Sequence, residues 1–184
     1  LIDDLLEASK ASSGVLNVIP APCEVGVLLE QVQGEYAERL HAHDLNLIVQ
    51  TPDKTLTVLA DGRHLGRIFD NLMNNIIKYA QPGTRVYLDA RAGLDPAAPG
   101  GSRPVAVITF RNVSAEPLNI PAEELLERFV RGDASRHTEG SGLGLAIVQS
   151  LTELQGGTFR LEIDGDLFKA VVTFPREQTE LVQA

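Results

Sequence analysis

At 184 residues, with 43% hydrophobic and 22% charged side chains, the chain is long enough for one domain with a sizeable core. Its formal net charge of -9 argues against a nucleic-acid surface, because such a surface neutralises phosphates with a stripe of Lys and Arg; only a local basic pocket is compatible. The single cysteine, Cys23, precludes an internal disulfide and, without ligand companions, reads as a small buried residue.

No apolar run is long enough to cross a bilayer, and no signal-peptide pattern stands at the start. The first residues begin in mid-pattern. Leu1, Leu5 and Ala8 form a helical stripe with Ile2 and Leu6 beside it and no cap before it, so Leu1–Lys10 reads as the end of a longer helix in a longer protein. Gly14 is a helix stop and hinge. Val15–Ile19 is expected as a short strand closed by Pro20 and Pro22.

From Glu24 to about Ala42, Val25, Leu28, Leu29, Val32, Tyr36 and Leu40 recur at helical spacing and predict an amphipathic helix. His41 and His43 stand at its frayed end, where without Cys or carboxylate companions they read as exposed rather than metal-bound. Leu45–Gln50 and Thr55–Leu59 are β-rich runs around Thr51-Pro-Asp-Lys54, which predicts a hairpin. Asp61-Gly62 opens the next helix, roughly Arg63 to Ala80, ended by Gln81-Pro-Gly83. Its stripe of Leu65, Ile68, Phe69, Leu72 and Ile76 is suited to lie on a sheet.

On another side of that helix Asn71 and Asn75 are four apart, with Lys78 a turn further on and Tyr79 beside it. An amide oxygen can coordinate Mg2+, a lysine can meet a phosphate and a tyrosine can stack on a base, so the set is suited to a nucleotide-reading edge. Taken by itself, a plain solvated helix face with Tyr79 packing at its rim is the favoured reading.

Arg85–Arg91 alternates as a strand, Ala92–Pro104 reads as a flexible connection, and Val105–Phe110 as a buried central strand ending in Arg111-Asn112. Pro117 and Pro121 then break regular structure. Pro121–Phe129 makes a short helix with proline in its first turn, within a charged, turn-rich stretch. Arg128, Arg131 and Arg136 favour a lid over an ordinary surface excursion, because a phosphate-type loop follows.

That loop is Gly140-Ser-Gly-Leu-Gly-Leu-Ala-Ile147, a glycine cluster running into an apolar helical pattern. Backbone without side chains at Gly140, Gly142 and Gly144 can turn its N–H groups to a ligand, in front of a partly positive helix N-terminus. This is an anion cradle. It fits neither the dinucleotide fingerprint nor the P-loop, since the glycines fall at every second position and no lysine follows. A helix start with a flexible lead-in is the plain alternative. The helix is expected from about Gly142 to Gln155, with Leu143, Ile147, Leu151 and Leu154 inward, stopping at Gly156-Gly157. Thr158–Ile163 and Phe168–Phe174 alternate as strands around Asp164-Gly-Asp166, and the residues from Pro175 read as an unstructured end.

Three blocks, Asn71-Leu-Met-Asn-Asn75-Ile-Ile-Lys78-Tyr79, Glu127-Arg-Phe-Val-Arg131 and Gly140–Ile147, agree in order, spacing and residue type with one family. Over nearly its whole length the chain closely resembles the ATP-binding domain of sensor histidine kinases. The resemblance implies an α/β two-layer sandwich of the Bergerat type, a mixed sheet covered on one face by three helices, with ATP held between helices and lid. It implies residues 1–14 as the end of the dimerisation and phosphoacceptor hairpin, 15–176 as the catalytic domain with a lid over about 113–140, and 177–184 as a flexible tail. Asn75 then matches the asparagine that binds Mg2+ through its side-chain oxygen, and Asn71 the asparagine one turn earlier. Lys78 matches the phosphate-contacting lysine, Tyr79 the base-stacking aromatic and Arg131 an arginine reaching the phosphates. Gly140, Ser141, Gly142, Leu143 and Gly144 match the loop over the phosphate tail. Asn71, Asn75, Lys78 and Arg131 form the implied catalytic set.

The chain departs from the family in its first glycine box, usually Asp-x-Gly-x-Gly before Ile-Pro. Here Asn112-Val-Ser-Ala-Glu-Pro-Leu-Asn-Ile-Pro121 has Asn for Asp, Ser114 for a glycine and additional residues. Asn112 keeps a carbonyl acceptor for the adenine amino group but loses a charge-assisted bond, a difference on the order of 1 kcal/mol. Gly165-Asp-Leu-Phe168 stands where the last box has a Gly-Thr pair.

The implied activity is transfer of the ATP γ-phosphate to a histidine on the hairpin, for relay to a response regulator. The implied parent is a homodimer in the cell membrane with this domain in the cytoplasm. His41, His43, His64 and His137 all lack the family's Ser-His-Glu-x-x-Thr-Pro context, so the phosphoacceptor is expected outside this chain. Two other classes stay open. Gyrase- and chaperone-like ATPases of the Bergerat type carry a water-activating glutamate where this chain has Asn71, and an amide has no useful basicity. A nucleotide-responsive, non-catalytic scaffold, or pseudokinase, agrees with the altered first box.

Overall fold

The computed structural model describes residues 16–51, 55–96, 101–119, 121–130 and 144–176. In chain order the elements are β1 (Ala21–Glu24), α1 (Val25–Ala42), β2 (Asn46–Gln50), β3 (Thr57–Ala60), α2 (Gly62–Tyr79), β4 (Arg85–Asp95), β5 (Arg103–Val113), α3 (Ala122–Val130), α4 (Gly144–Leu154), β6 (Thr158–Asp164) and β7 (Leu167–Pro175). Five strands form a mixed sheet ordered β2-β4-β5-β7-β6, with β2 and β4 parallel and the other neighbours antiparallel. β1 and β3 make a separate antiparallel ribbon.

The register sets Val49, Leu88, Phe110, Ala170 and Leu161 in one row across the sheet. Side chains alternate along a strand, so this row and those two residues away share a face. They are packed with Leu29, Val32, Tyr36 and Leu40 of α1, with Leu65, Ile68, Phe69, Leu72 and Ile76 of α2, and with Leu145, Ile147, Val148 and Leu151 of α4. The other face carries a polar ladder. Arg111 bonds Asp89 at 2.6 Å and lies over the Tyr87 ring, and Lys169 bonds Glu162 at 2.6 Å. One face buried under three helices and one face polar is the two-layer sandwich that the resemblance implied.

Five local expectations are corrected. Residues 16–20 are not strand; the Ile19 N–H donates to Asp61 Oδ2 at 3.0 Å rather than to a ladder, and pairing begins at Ala21. Pro22 is tolerated because β1 is an edge strand. The runs 45–50 and 55–59 are no hairpin. β2 pairs with β4 and β3 with β1, so two neighbours in sequence serve different sheets. The connection expected over 92–104 is shorter, since β4 runs to Asp95 and β5 starts at Arg103. Gly93 is accommodated opposite Val105, where a Cβ would stand 3.1 Å from Val107 Cγ2. Pro175 closes β7 instead of opening an unstructured end, and Arg176 bridges Val58. Cys23 is half-buried, not buried, with its thiol against the Ala21 and Ala60 carbonyls at 3.4 Å.

Two helix ends show how composition sets boundaries. Asp61 caps α2 by accepting from the Arg63 N–H at 3.0 Å. α4 ends where Gly156 takes φ +74°, its N–H donating to the Glu153 carbonyl at 2.9 Å and that of Gly157 to Thr152 at 3.0 Å. That pair of bonds is a Schellman stop, for which glycine is the usual residue.

Candidate functional site

The site is built where the second half of α2 meets the end of β5 and the start of α4. Leu72, Met73, Ile76 and Ile77 bury the core side of these turns of α2, so the helix cannot rotate to offer another face. Asn71 and Asn75 are half-buried and Lys78 is exposed. The Asn71 Nδ2 donates to the Arg67 carbonyl at 2.7 Å, leaving Oδ1 towards α4. A Cβ built on Gly144, the first residue of α4, would stand 3.2 Å from that oxygen, so a bare backbone lets the helix start this close. Lys78 Nζ lies 5.0 Å from the centroid of the Tyr79 ring, which is 37% exposed at the helix end.

The end of α2 is stitched to the end of β5. Gln81 N–H donates to the Val113 carbonyl at 2.8 Å, Ala115 N–H to the Tyr79 carbonyl at 2.9 Å, and Ala80 bridges Ser114. Asn112, on the penultimate residue of β5, therefore belongs to the same wall as Tyr79. It is 3% exposed; its Nδ2 donates to the Val113 carbonyl at 3.1 Å, while Oδ1 is buried without a partner among the described residues. Reversing the amide would set its oxygen against the Val113 carbonyl, so this bond assigns the free position to the acceptor. The Ser114 N–H donates to the Asp166 carbonyl at 2.7 Å, which brings the Gly165-Asp166 turn of the β6–β7 hairpin to the same corner.

Asn71, Asn75, Lys78, Tyr79, Asn112 and Gly144 are thus brought together by α2, β5 and α4. Arg131, Gly140, Ser141, Gly142 and Leu143 lie outside the described residues, as does His137. His41 and His43 are exposed beyond the site, with the His43 Nδ1 at 2.8 Å from the Arg39 carbonyl. Among the described residues no group of three or more His, Cys, Asp or Glu could hold a metal ion. No helix among them is long and apolar enough to cross a membrane.

Sequence reasoning missed what holds the far end of α2. Asp61, 3% exposed, accepts from the Ile19 N–H at 3.0 Å and from the Arg63 guanidinium at 2.8 and 3.1 Å. Its own N–H donates to Gln155 Oε1, at the C-terminal end of α4, at 2.8 Å. The Arg63 bond, against a smaller opposing push from burial, holds the Asp61 carboxyl well below the usual carboxylate range. The aspartate was legible as a helix opener; its partners 42 and 94 residues away were not.

Residues 60–178 match the family model described as "Histidine kinase-, DNA gyrase B-, and HSP90-like ATPase". The chain belongs to this ATPase family. Within it, the chain is the catalytic ATPase-type domain of a two-component sensor histidine kinase. It is 32% identical over 160 residues to the signal transduction histidine-protein kinase BaeS of Escherichia coli K12, an alignment covering 85% of this chain and 32% of BaeS. The chain therefore spans about a third of that relative's length. The catalytic domain of histidine kinase ThkA, in a nucleotide-free form, superposes with a TM-score of 0.70 at 19% identity, over 86% of this chain and 96% of that one. Full-length ShkA in complex with AMPPNP superposes with a TM-score of 0.77 at 23% identity, over 97% of this chain and 35% of ShkA. These two likenesses are of fold. The family description also covers gyrase- and chaperone-like ATPases, whereas BaeS is a histidine-protein kinase.

Proposed function

We propose that this chain holds Mg-ATP and delivers its γ-phosphate to a histidine on the dimerisation hairpin of a longer sensor kinase, for relay to a response regulator. The observation that carries the nucleotide site is the buried Asn112 Oδ1, without a partner among the described residues, on one wall with Tyr79 beside the Asn71, Asn75 and Lys78 face. An orphaned buried acceptor costs about 1–3 kcal/mol, and the 6-amino group of adenine is a donor that relieves it. Tyr79 stacks on the base, and Asn75 supplies a hard oxygen ligand. Lys78 and Arg131, with the backbone N–H groups from Gly140 to Gly144, compensate the phosphate charge. Mg2+, when bound, contributes neutralisation of the charge on the phosphate oxygens. Transfer of this kind needs positioning and electrostatics more than covalent help, and these side chains supply both.

Asn71 bears on the reaction class. Its amide nitrogen is engaged by the Arg67 carbonyl and neither of its atoms is a base, which favours transfer to a protein side chain over activation of water. In this reading residues 1–14 end the hairpin, 15–176 are the catalytic domain, about 113–140 close as a lid, and 177–184 are a tail. The parent is a homodimer in the cell membrane, with this domain in the cytoplasm.

Asn112 in place of an aspartate and Ser114 in place of a glycine favour one second reading, a nucleotide-responsive scaffold without transfer. Mixing the chain, Mg-ATP and the separately made hairpin separates the two. Acid-labile phosphate on the hairpin is expected; nucleotide binding without it selects the scaffold. Asn75→Ala is expected to remove the Mg2+ dependence of binding to an ATP analogue. Calorimetry in which the unmodified chain binds no adenine nucleotide overturns both readings.

A further inference from the structure

The interface between helices α2 and α4 has a polar contact at each end. At one end Gly144 stands against Asn71; at the other the Asp61 N–H donates to Gln155 Oε1 at 2.8 Å. Going up α2 from Asp61 to Asn71 corresponds to going down α4 from Gln155 to Gly144, so the helices are antiparallel, hydrogen-bonded at one end and in close approach at the other. The two contacts are separated by the 11 residues of α4, about 16 Å of helix. Between them the contact is apolar packing, which resists separation but is not directional, so it resists axial sliding less. The hydrogen bond at the far end is directional.

We infer that Asp61 and Gln155 are positioning residues that set the axial register of α4 against α2, and through it the place of Gly144 beside Asn71. Each member of the brace is itself fixed. Gln155 Nε2 donates to the Leu151 carbonyl at 3.0 Å, which aims Oε1 at Asp61. Asp61 is held by the Ile19 and Arg63 N–H groups and the Arg63 guanidinium, so its N–H does not wander. The Schellman stop at Gly156-Gly157 fixes where α4 ends, and a Cβ on Gly157 would meet the Thr173 carbonyl oxygen at 2.5 Å, so the sheet holds that end tightly. A shift of α4 by a fraction of a turn would move Gly144, which closes the proposed phosphate loop, relative to Asn71 and Asn75. The inference rests on the nucleotide reading above and adds to it a determinant of affinity that touches no ligand.

The test is a double-mutant cycle on the full chain, read as the dissociation constant of a non-hydrolysable ATP analogue with Mg2+. Gln155→Met keeps the length of the side chain and removes the acceptor. It is expected to weaken binding about fivefold, the equivalent of one neutral hydrogen bond, by lowering the fraction of chains in the binding register. Gly144→Ala presses on Asn71 Oδ1 from the site end and is also expected to weaken binding. With the brace gone α4 can slide to relieve that contact, so the double variant loses clearly less than the product of the two single losses. Sites this far apart ordinarily act independently, so the departure from a product reads the shared register. A loss of stability without a change of register leaves the effects multiplicative, so the cycle holds even if Gln155→Met lowers the melting temperature. An unmodified chain that binds, with Gln155→Met binding equally or with the effects multiplying, overturns this inference alone. An unmodified chain that binds no adenine nucleotide overturns the functional reading and this one with it.

Discussion

Phe69 of α2 packs on Phe110 of β5, ring centroids 5.6 Å apart and ring planes tilted by 51°. The pair joins the helix that carries Asn71, Asn75 and Lys78 to the strand that carries Asn112, and with the backbone bonds at the end of α2 it holds the two walls of the site together. Both side chains are about fully buried.

Truncating Phe69 should therefore act on the whole domain. Phe69→Ala is expected to lower unfolding free energy by about 3–5 kcal/mol, from lost transfer energy and the cavity left behind. Urea unfolding checks it: the midpoint should fall with the slope unchanged, and a drop under a third of that range means the site collapses around the void.

Asn112 should decide base preference. Asn112→Leu removes the buried acceptor and is expected to weaken ATP-analogue binding about fivefold, the worth of one neutral hydrogen bond. It should also erase discrimination against a guanine nucleotide, whose ring presents an acceptor at that position. Competition titration reads both, and a preference for adenine that survives the substitution would place base recognition elsewhere.

Acid should selectively weaken the Asp61 node. Its folded carboxyl is held below the ordinary value, so its contribution is fully present above the unfolded pKa of about 3.9 and is lost as pH falls below it. At neutral pH, Asp61→Ala should cost about 1–2 kcal/mol through loss of the cap. The melting temperatures of the two proteins should begin to draw together below pH 4 and go on converging well below pH 3, and a gap that stays constant over that range would rule out the carboxylate as its source.

Alkali acts at the α1–α2 contact, where the Tyr36 hydroxyl donates to Asp70 at 2.9 Å. Burial first, and the bond to Asp70 second, push the Tyr36 phenol up to about 12. Because the folded value is raised, the stabilisation is present below the unfolded pKa of about 10 and disappears as pH rises from there towards 12. Tyr36→Phe should flatten the alkaline limb of the stability curve. A phenolate absorbance titration of the folded chain should show an ionisation at about 12, and that step should vanish in the variant.

Much of this was legible from residue order. The apolar stripes of α1 and α2, the glycine stop of α4 and the alternation of β6 and β7 are local patterns, and each became the element expected. So did the neighbourhood of Asn71, Asn75 and Lys78, because a helix places i, i+4 and i+7 together whatever surrounds it.

The failures share one cause. Leu45–Gln50 and Thr55–Leu59 were paired because a short separation favours a hairpin, but strand pairing is a contest among all strands, and parallel addition to β4 took the first while β1 took the second. Over its described part, 16–19, the expected strand does not form, and the N–H of Ile19 instead donates to Asp61, 42 residues on. Residue order by itself determined which segments are helical, which face of each is apolar, and the run of amides, lysine and glycines that names the chemistry. Only the tertiary structure decided that Asn112 keeps an acceptor without a partner among the described residues, in a common wall with Tyr79, and that Asp61 reaches Gln155. Both depend on bonds between groups that no periodicity relates, whose partners are chosen by whatever the packed core brings within 3 Å.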